Sequence, residues 1–257
     1  MRILAIGDVI GRPGREAVKK LLPGLRVEYS IDFVIANAEN SAGGLGVTPE
    51  TAQELVLGGV DVLTSGNHIW NHKEIVPHLD NSLPIIRPLN FPPGVPGRGY
   101  MQKGDVLVVN LLGRTFIGHF DCPFQAMDKL LAGIGGGCRT IIVDLHAEAT
   151  AEKGAMGWYL DGRVSAVVGT HTHVGTVDSR ILPGGTAFIT DIGMVGPEES
   201  VIGDETESVI DRFLKKMPRR ISVGRGNTIF NSVLMDIDDE TGKARSITRL
   251  DRLLTGN

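Results

Sequence analysis

Short apolar runs alternate with helical patterns through the first half of the chain, and that alternation dictates parallel strands with covered faces. The first run is Arg2–Gly7. A stripe of Ala17, Val18, Leu21 and Leu22 predicts a helix from about Gly14 to Leu22, stopped by Pro23 and Gly24. Asp32–Asn37 is the second strand. Thr48 reads as an N-cap with Pro49 at the first helical position, opening a helix to about Leu57. Asp61–Ser65 is a third strand and Asn71–Leu79 a short helix. The stretch Asn81–Arg98 holds five prolines and reads as a loop, with at most a short strand at Ile85–Arg87. Beyond it come a doubly buried strand at Asp105–Leu112, a helix at Pro123–Ala132, a strand at Thr140–Leu145, a helix at Ala149–Leu160 and a strand at Val164–Gly169. Thr186–Thr190, Thr228–Ile237 and Ala244–Leu250 are further strands, and their short connections imply antiparallel pairing. The fold class is α/β: a mixed-sheet β-sandwich flanked by helices, read as a single domain over residues 1–257.

Several strands are apolar until their carboxyl end and then switch abruptly to residues that can ligate metal. The first ends Ile6-Gly7-Asp8. The second ends Ala36-Asn37-Ala38-Glu39-Asn40. The third ends Ser65-Gly66-Asn67-His68. Later ones end Val143-Asp144-Leu145-His146 and Val168-Gly169-Thr170-His171-Thr172-His173. Each tip alone has a bland reading: Asp8 as a cap, Glu39 and Asn40 as loop polars, Asn67-His68 as a turn, His146 as a core histidine. Five together do not, because ligands bind at the carboxyl ends of strands in α/β sheets. His171 and His173, at i and i+2, would point the same way on a strand. Mixed carboxylate and imidazole donors suit iron, manganese, zinc or cobalt. His72, His78 and His119 have no such setting and read as surface or supporting groups. Asp144 and Asp191 stand where they could orient a ligand or serve packing.

Composition narrows the partners. Apolar residues make up 42% and charged residues 22% of the 257, ordinary values for a globular chain with a large core. A formal net charge of -4 argues against a protein that coats nucleic acid or an anionic membrane. A local basic patch at Arg219–Arg225 remains open. Cys122 and Cys138 form no CxxC pair and read as buried or half-buried thiols in a reducing compartment. No apolar stretch approaches the roughly 20 residues that span a bilayer, and the amino terminus lacks a cleavage site. The cytoplasm is the expected location.

The segments GDVIGRPGR, NAEN, GNHIW, DLHAEAT and GTHTHV, in that order, resemble the calcineurin-like metallophosphoesterase superfamily, and more narrowly its bacterial YmdB-type branch. The resemblance implies a four-layer α/β/β/α fold and two transition-metal ions, iron or manganese first and zinc third. It implies that Asp8 and His173 hold one ion, that Asn67, His146 and His171 hold the other, and that Glu39 bridges them. Asn40 would add its carbonyl oxygen. His68 would protonate the leaving oxygen after a metal-bridging hydroxide attacks phosphorus. One departure stands out: the superfamily's first motif is Asp-x-His, and here the histidine position is Ile10. The implied activity is a phosphodiesterase on cyclic nucleotides, 2′,3′-cyclic or 3′,5′-cyclic AMP, with possible homo-oligomer formation. A phosphomonoesterase would use the same metals, and a metal-holding regulatory protein with weak catalysis would carry the same ligands. Arg12, Arg15 and Arg114 could each reach phosphate or stay solvated. A dinucleotide-binding reading fits poorly, since Gly7, Gly11 and Gly14 are spaced G-x-x-x-G-x-x-G.

Overall fold

The computed structural model describes residues 1–80, 82–134, 137–218 and 220–256; Asn81 of the proline-rich loop and Arg219 of the basic patch lie outside the described residues. In chain order the elements are β1 (Arg2–Val9), α1 (Gly11–Tyr29), β2 (Phe33–Asn37), α2 (Pro49–Leu57), β3 (Val62–Thr64), a 3-10 helix (Lys73–His78), β4 (Tyr100–Lys103), β5 (Val106–Leu112), α3 (Pro123–Ile134), β6 (Thr140–His146), α4 (Thr150–Tyr159), β7 (Ala166–Thr170), β8 (Arg180–Ile181), β9 (Ala187–Ile189), β10 (Met194–Pro197), α5 (Thr206–Lys215), β11 (Thr228–Phe230), β12 (Ser232–Ile237), β13 (Ala244–Arg249) and β14 (Arg252–Leu254).

β1 is the hub of the first sheet. One edge pairs in parallel with β2, which pairs in parallel with β3. The other edge is shared: β12 runs antiparallel to Arg2–Ile6, and β10 runs parallel at Asp8 and Val9. β13 extends beyond β12, and β11 then β14 extend beyond β10, all antiparallel. In the second sheet β5, β6, β7 and β9 are parallel, with β4 and β8 antiparallel at the two edges.

Strand alternation explains why these runs are apolar at nearly every position. Leu4 and Ile6 of β1 face outward and pack with Val18 and Leu22 of α1 and Leu55 of α2. Ile3 and Ala5 face the second sheet and meet Val108, Ile142 and Val168. The far side of that sheet, Val109, Val143 and Val167, packs on Met127 of α3 and Met156 of α4. Three apolar layers thus separate helix, sheet, sheet and helix. The carboxyl ends of the parallel strands meet at one rim, where Asp144 of β6 bonds Asn37 of β2 and Thr64 of β3 across the two sheets.

Two expectations change and two are sharpened. Pro23 does not stop α1; the helix runs on to Tyr29 and ends at Ser30, whose φ is 50°. Burial of Leu22 and Leu25, with Arg26 donating to Gly59 O at 2.9 Å and to Asp61, outweighs an interior proline's cost of about 3 kcal/mol. Thr228–Ile237 is two strands, because β11 pairs with β10 while β12 pairs with β1, and the chain changes partner at Asn231. Ile85–Arg87 contributes one bridge, Leu63 to Ile85, instead of a strand. The short helix expected over Asn71–Leu79 is a 3-10 helix over Lys73–His78 and contains Pro77.

Candidate metal centre

Asp8 is the penultimate residue of β1 and is fully buried. Its Oδ2 accepts from His171 N at 3.1 Å. Its Oδ1 lies 3.8 Å from His146 Nδ1 and 3.9 Å from His173 Nε2. Glu39 lies two residues past β2, and its backbone N–H donates to Asn37 Oδ1 at 3.0 Å. Glu39 Oε1 accepts from His68 N at 3.1 Å, and Oε2 lies 3.0 Å from His146 Nε2 without hydrogen-bond geometry. The loop after β3 passes directly over this pair at Gly66. A Cβ there would sit 1.8 Å from Glu39 Oε2 and 2.4 Å from His146 Nε2, so only glycine leaves room. Asn67 follows, its Nδ2 3.0 Å from His68 Nε2. His171 Nδ1 lies 3.0 Å from His146 Nε2, and Asn40 Nδ2 lies 3.3 Å from His173 Nε2. All eight residues expected at the site therefore stand in one linked cluster.

Four of its oxygens decide whether metal fits. Asp8 Oδ1, Glu39 Oε2, Asn40 Oδ1 and Asn67 Oδ1 are buried and accept no hydrogen bond. A buried acceptor without a donor costs about 1–3 kcal/mol, and four beside three imidazoles form a demand for cations. The 3.0 Å edges from His146 Nε2 to Glu39 and to His171 match neighbouring donors in a shell with bonds of about 2.1 Å. Among the described residues no three His, Cys, Asp or Glu side chains form a cage by themselves. The amide oxygens of Asn40 and Asn67 would have to complete it.

Burial sets the charges. It raises Asp8 well above the usual carboxylate range, with Asp191, Asp144 and Glu39 adding to it against the His171 N–H. It lifts Glu39 to about 7. It drops His146 to about 3 and His171 to about 4, the latter lowered further by the neighbouring His146. The pocket by itself favours neutral acids and neutral imidazoles, the form in which histidine ligates metal.

Supporting residues fix which imidazole nitrogen is free. Thr170 donates its hydroxyl to Asp144 Oδ1 at 2.7 Å, so at 3.0 Å it accepts from His146 Nδ1–H and leaves the lone pair on Nε2. Asp144 thus orients His146 through Thr170 rather than by contact. The Ile202 carbonyl accepts from His173 Nδ1–H at 2.7 Å and frees Nε2 in the same way. Asp191 accepts from Thr172 N at 3.2 Å, from Thr172 Oγ1 at 2.7 Å and from the buried Lys153 Nζ at 2.6 Å, so it braces the histidine loop. Thr170 and Asn37 stood inside the quoted strand tips without being singled out; Lys153, in mid-helix, and the Ile202 carbonyl give no sequence signal.

One reading of the sequence needs correction. His171 and His173 lie beyond β7, with φ of 97° and 66°, so a left-handed turn aims them and not strand alternation. Ile10 is enclosed at the N-cap of α1, where a Cβ on Gly203 would lie 2.9 Å from its Cγ2. The position that holds a histidine in the superfamily is here part of the core. Elsewhere, His72 and His78 bond Leu45 O and Ser82 Oγ at exposed sites, and His119 is exposed. Arg12 pairs with Glu16 and Arg15 with Glu54, while Arg114 is exposed.

A family model described as YmdB-like protein matches residues 4–250. The chain belongs to the YmdB-like family. It is 48% identical over 254 residues to the 2′,3′-cyclic-nucleotide 2′-phosphodiesterase of Bacillus subtilis (strain 168), covering 97% of this chain and 96% of that one. A crystal structure of a hypothetical protein from Thermus thermophilus superposes with a TM-score of 0.92 at 43% identity, covering 99% of this chain and 100% of that one. A novel phosphatase from Mycoplasma pneumoniae superposes with a TM-score of 0.92 at 33% identity, covering 99% and 94%. The two helix-flanked mixed sheets are therefore a phosphatase fold.

Proposed function

We propose that this phosphoric ester hydrolase is a dinuclear-metal phosphodiesterase acting on cyclic nucleotides, with 2′,3′-cyclic and 3′,5′-cyclic AMP as candidate substrates. The observation that carries the metal reading is the set of four buried, unpartnered oxygens beside His146, His171 and His173. The substrate reading rests on the similarity to the Bacillus subtilis enzyme. Asp8 and His173 would hold one ion, with Asn40 Oδ1 supplying a donor where Ile10 cannot. Asn67, His146 and His171 would hold the second, and Glu39 would serve both. Iron or manganese suits this donor mixture best, and zinc next. Bound ions would supply Lewis-acid polarisation of the phosphoryl oxygens and ionisation of water.

The chain's own residues do the rest. His68 is the least enclosed of the imidazoles in the cluster, with over a third of its side chain open. Its backbone is tied to Glu39 and its Nε2 to Asn67. It can therefore hold a proton at the mouth of the pocket and deliver it to a leaving oxygen. Closed layers of strand and loop keep Asp8, Glu39 and His146 dry, which strengthens every charge interaction there. Self-association is part of the same proposal, supported by exposed Ile210, Phe213 and Leu214 on α5 and Met217 beyond it. A monomer mass by light scattering would contradict it. The cytoplasm is the proposed location, supported by the free, half-buried Cys122 and Cys138. Among the described residues no helix is long and apolar enough to cross a membrane.

The test compares hydrolysis of 2′,3′-cyclic AMP, an aryl phosphodiester and an aryl phosphomonoester by the metal-supplied protein and by Glu39→Gln. Diesters should turn over faster than the monoester. Glu39→Gln should stay folded and lose more than about a hundredfold in rate, beyond what a residue that only supports a ligand costs. Full activity in a folded Glu39→Gln protein would overturn the metal assignment. Preference for the monoester would overturn the substrate class.

A further inference from the structure

The proline-rich loop, β4 and α3 line an open cavity of about 690 Å³ that shares no residue with the metal centre. Its wall carries three cations, Arg87, Arg98 and Lys129, together with Phe91, Tyr100 and a single acid, Asp121. Arg87 is only 8% exposed. Its Nη1 donates to the Pro88 carbonyl at 2.7 Å, while its Nε is buried with no acceptor. Arg98 Nε is likewise buried with no acceptor. Among the described residues, none of the three cations has an ion-pair partner. Asp80 is the acid whose field reaches Arg87, and its Oδ1 is engaged by Gly97 N at 3.0 Å. Buried charges are ordinarily paired, because leaving one unpaired costs several kcal/mol. A guanidinium held in place by backbone, facing a cavity and touching no carboxylate is a preformed half of an ion pair.

We propose that this cavity is a second ligand site, for a nucleotide-class anion whose phosphate pairs with Arg87, Arg98 and Lys129 and whose ring lies against Tyr100. Guanidinium forks match phosphate geometry, which suits two arginines and a lysine better to a phosphate than to a neutral ligand. Tyr100 is 42% exposed, so it offers an open ring face, and bases stack on such faces whatever their identity. The volume falls within the range of small-molecule sites. Asp121 keeps the wall from being uniformly positive and limits the site to a ligand with few negative charges. A second trough of about 550 Å³ shares Tyr100, Asp121 and Lys129, which leaves space for the part of the ligand beyond the phosphate.

The metal-loaded protein is titrated calorimetrically with AMP and with adenosine, as wild type and as the double variant Arg98→Ala/Lys129→Ala. Both substituted side chains reach the surface, and thermal melting checks that the fold is kept. AMP should bind the wild type, and the double variant should bind it about tenfold more weakly for each cation removed. Hydrolysis of an aryl phosphodiester should be unchanged in that variant. Arg87→Met gives a second reading, with the same weakening expected if it melts normally. Unchanged AMP affinity and stoichiometry in the double variant would overturn the proposal. So would adenosine binding as tightly as AMP.

Discussion

Glu39 shows how one side chain couples the site to pH. Burial holds it near 7 in the metal-free protein, so about half the molecules carry a proton there at neutral pH. A metal ion needs the carboxylate and must displace that proton. Affinity for manganese should therefore fall as the pH drops through 7, by about tenfold between pH 8 and pH 6 from Glu39 alone. Asp8, raised in the same direction, adds to the fall. His146 and His171 do not contribute in that window, since burial keeps them neutral down to about 3 and about 4. Competition titrations at the two pH values read this directly, and equal affinities would contradict it. The ligand candidates were legible in the sequence because each interrupts or follows an apolar run. What the sequence concealed was how they are held: the left-handed backbone of His171 and His173, the Thr170 hydroxyl beneath His146, and the Ile202 carbonyl from a distant loop.

At the scale of elements, α4 does more than cover the second sheet. It carries Lys153 into the core, where both it and Asp191 are 1% exposed. Removing the lysine leaves a buried carboxylate without its counter-charge. Lys153→Met should therefore cost about 3–5 kcal/mol in denaturant unfolding, and adding Asp191→Asn should recover part of it. Unchanged stability of the single variant would show that the pair does not brace the histidine loop. Helices and strands with a single job were readable: Thr48 caps α2 as its spacing suggests, and β5 and β6, apolar over most of their length, are buried throughout. Elements whose identity depends on a distant partner were not. β10, Met-Val-Gly-Pro, has the residues of a turn and becomes a strand only by lying between β1 and β11. α1 outruns its proline because the first sheet rewards burial of Leu25.

For the whole molecule, the consequence of the fold is a single rim. β1, β2 and β3 bring Asp8, Glu39, Asn40 and Asn67 from one sheet, and β6 and β7 bring His146, His171 and His173 from the other. Neither sheet alone has a full set of donors, so the apolar layer that joins the sheets, Ile3, Ile35, Val108 and Ile142 among it, also assembles the site. The parallel order of the early strands could be read from their alternation with helices; the meeting of two sheets at Asp144, Asn37 and Thr64 could not, because those contacts join positions far apart in the chain and bind residues with no pattern of their own. The account rests on that rim holding two metal ions. Elemental analysis of the purified, manganese- or iron-supplied chain should find close to two transition-metal ions per chain in the wild type and a clear deficit in a folded Glu39→Gln variant. Fewer than one ion per wild-type chain, or the same content in both, would contradict it.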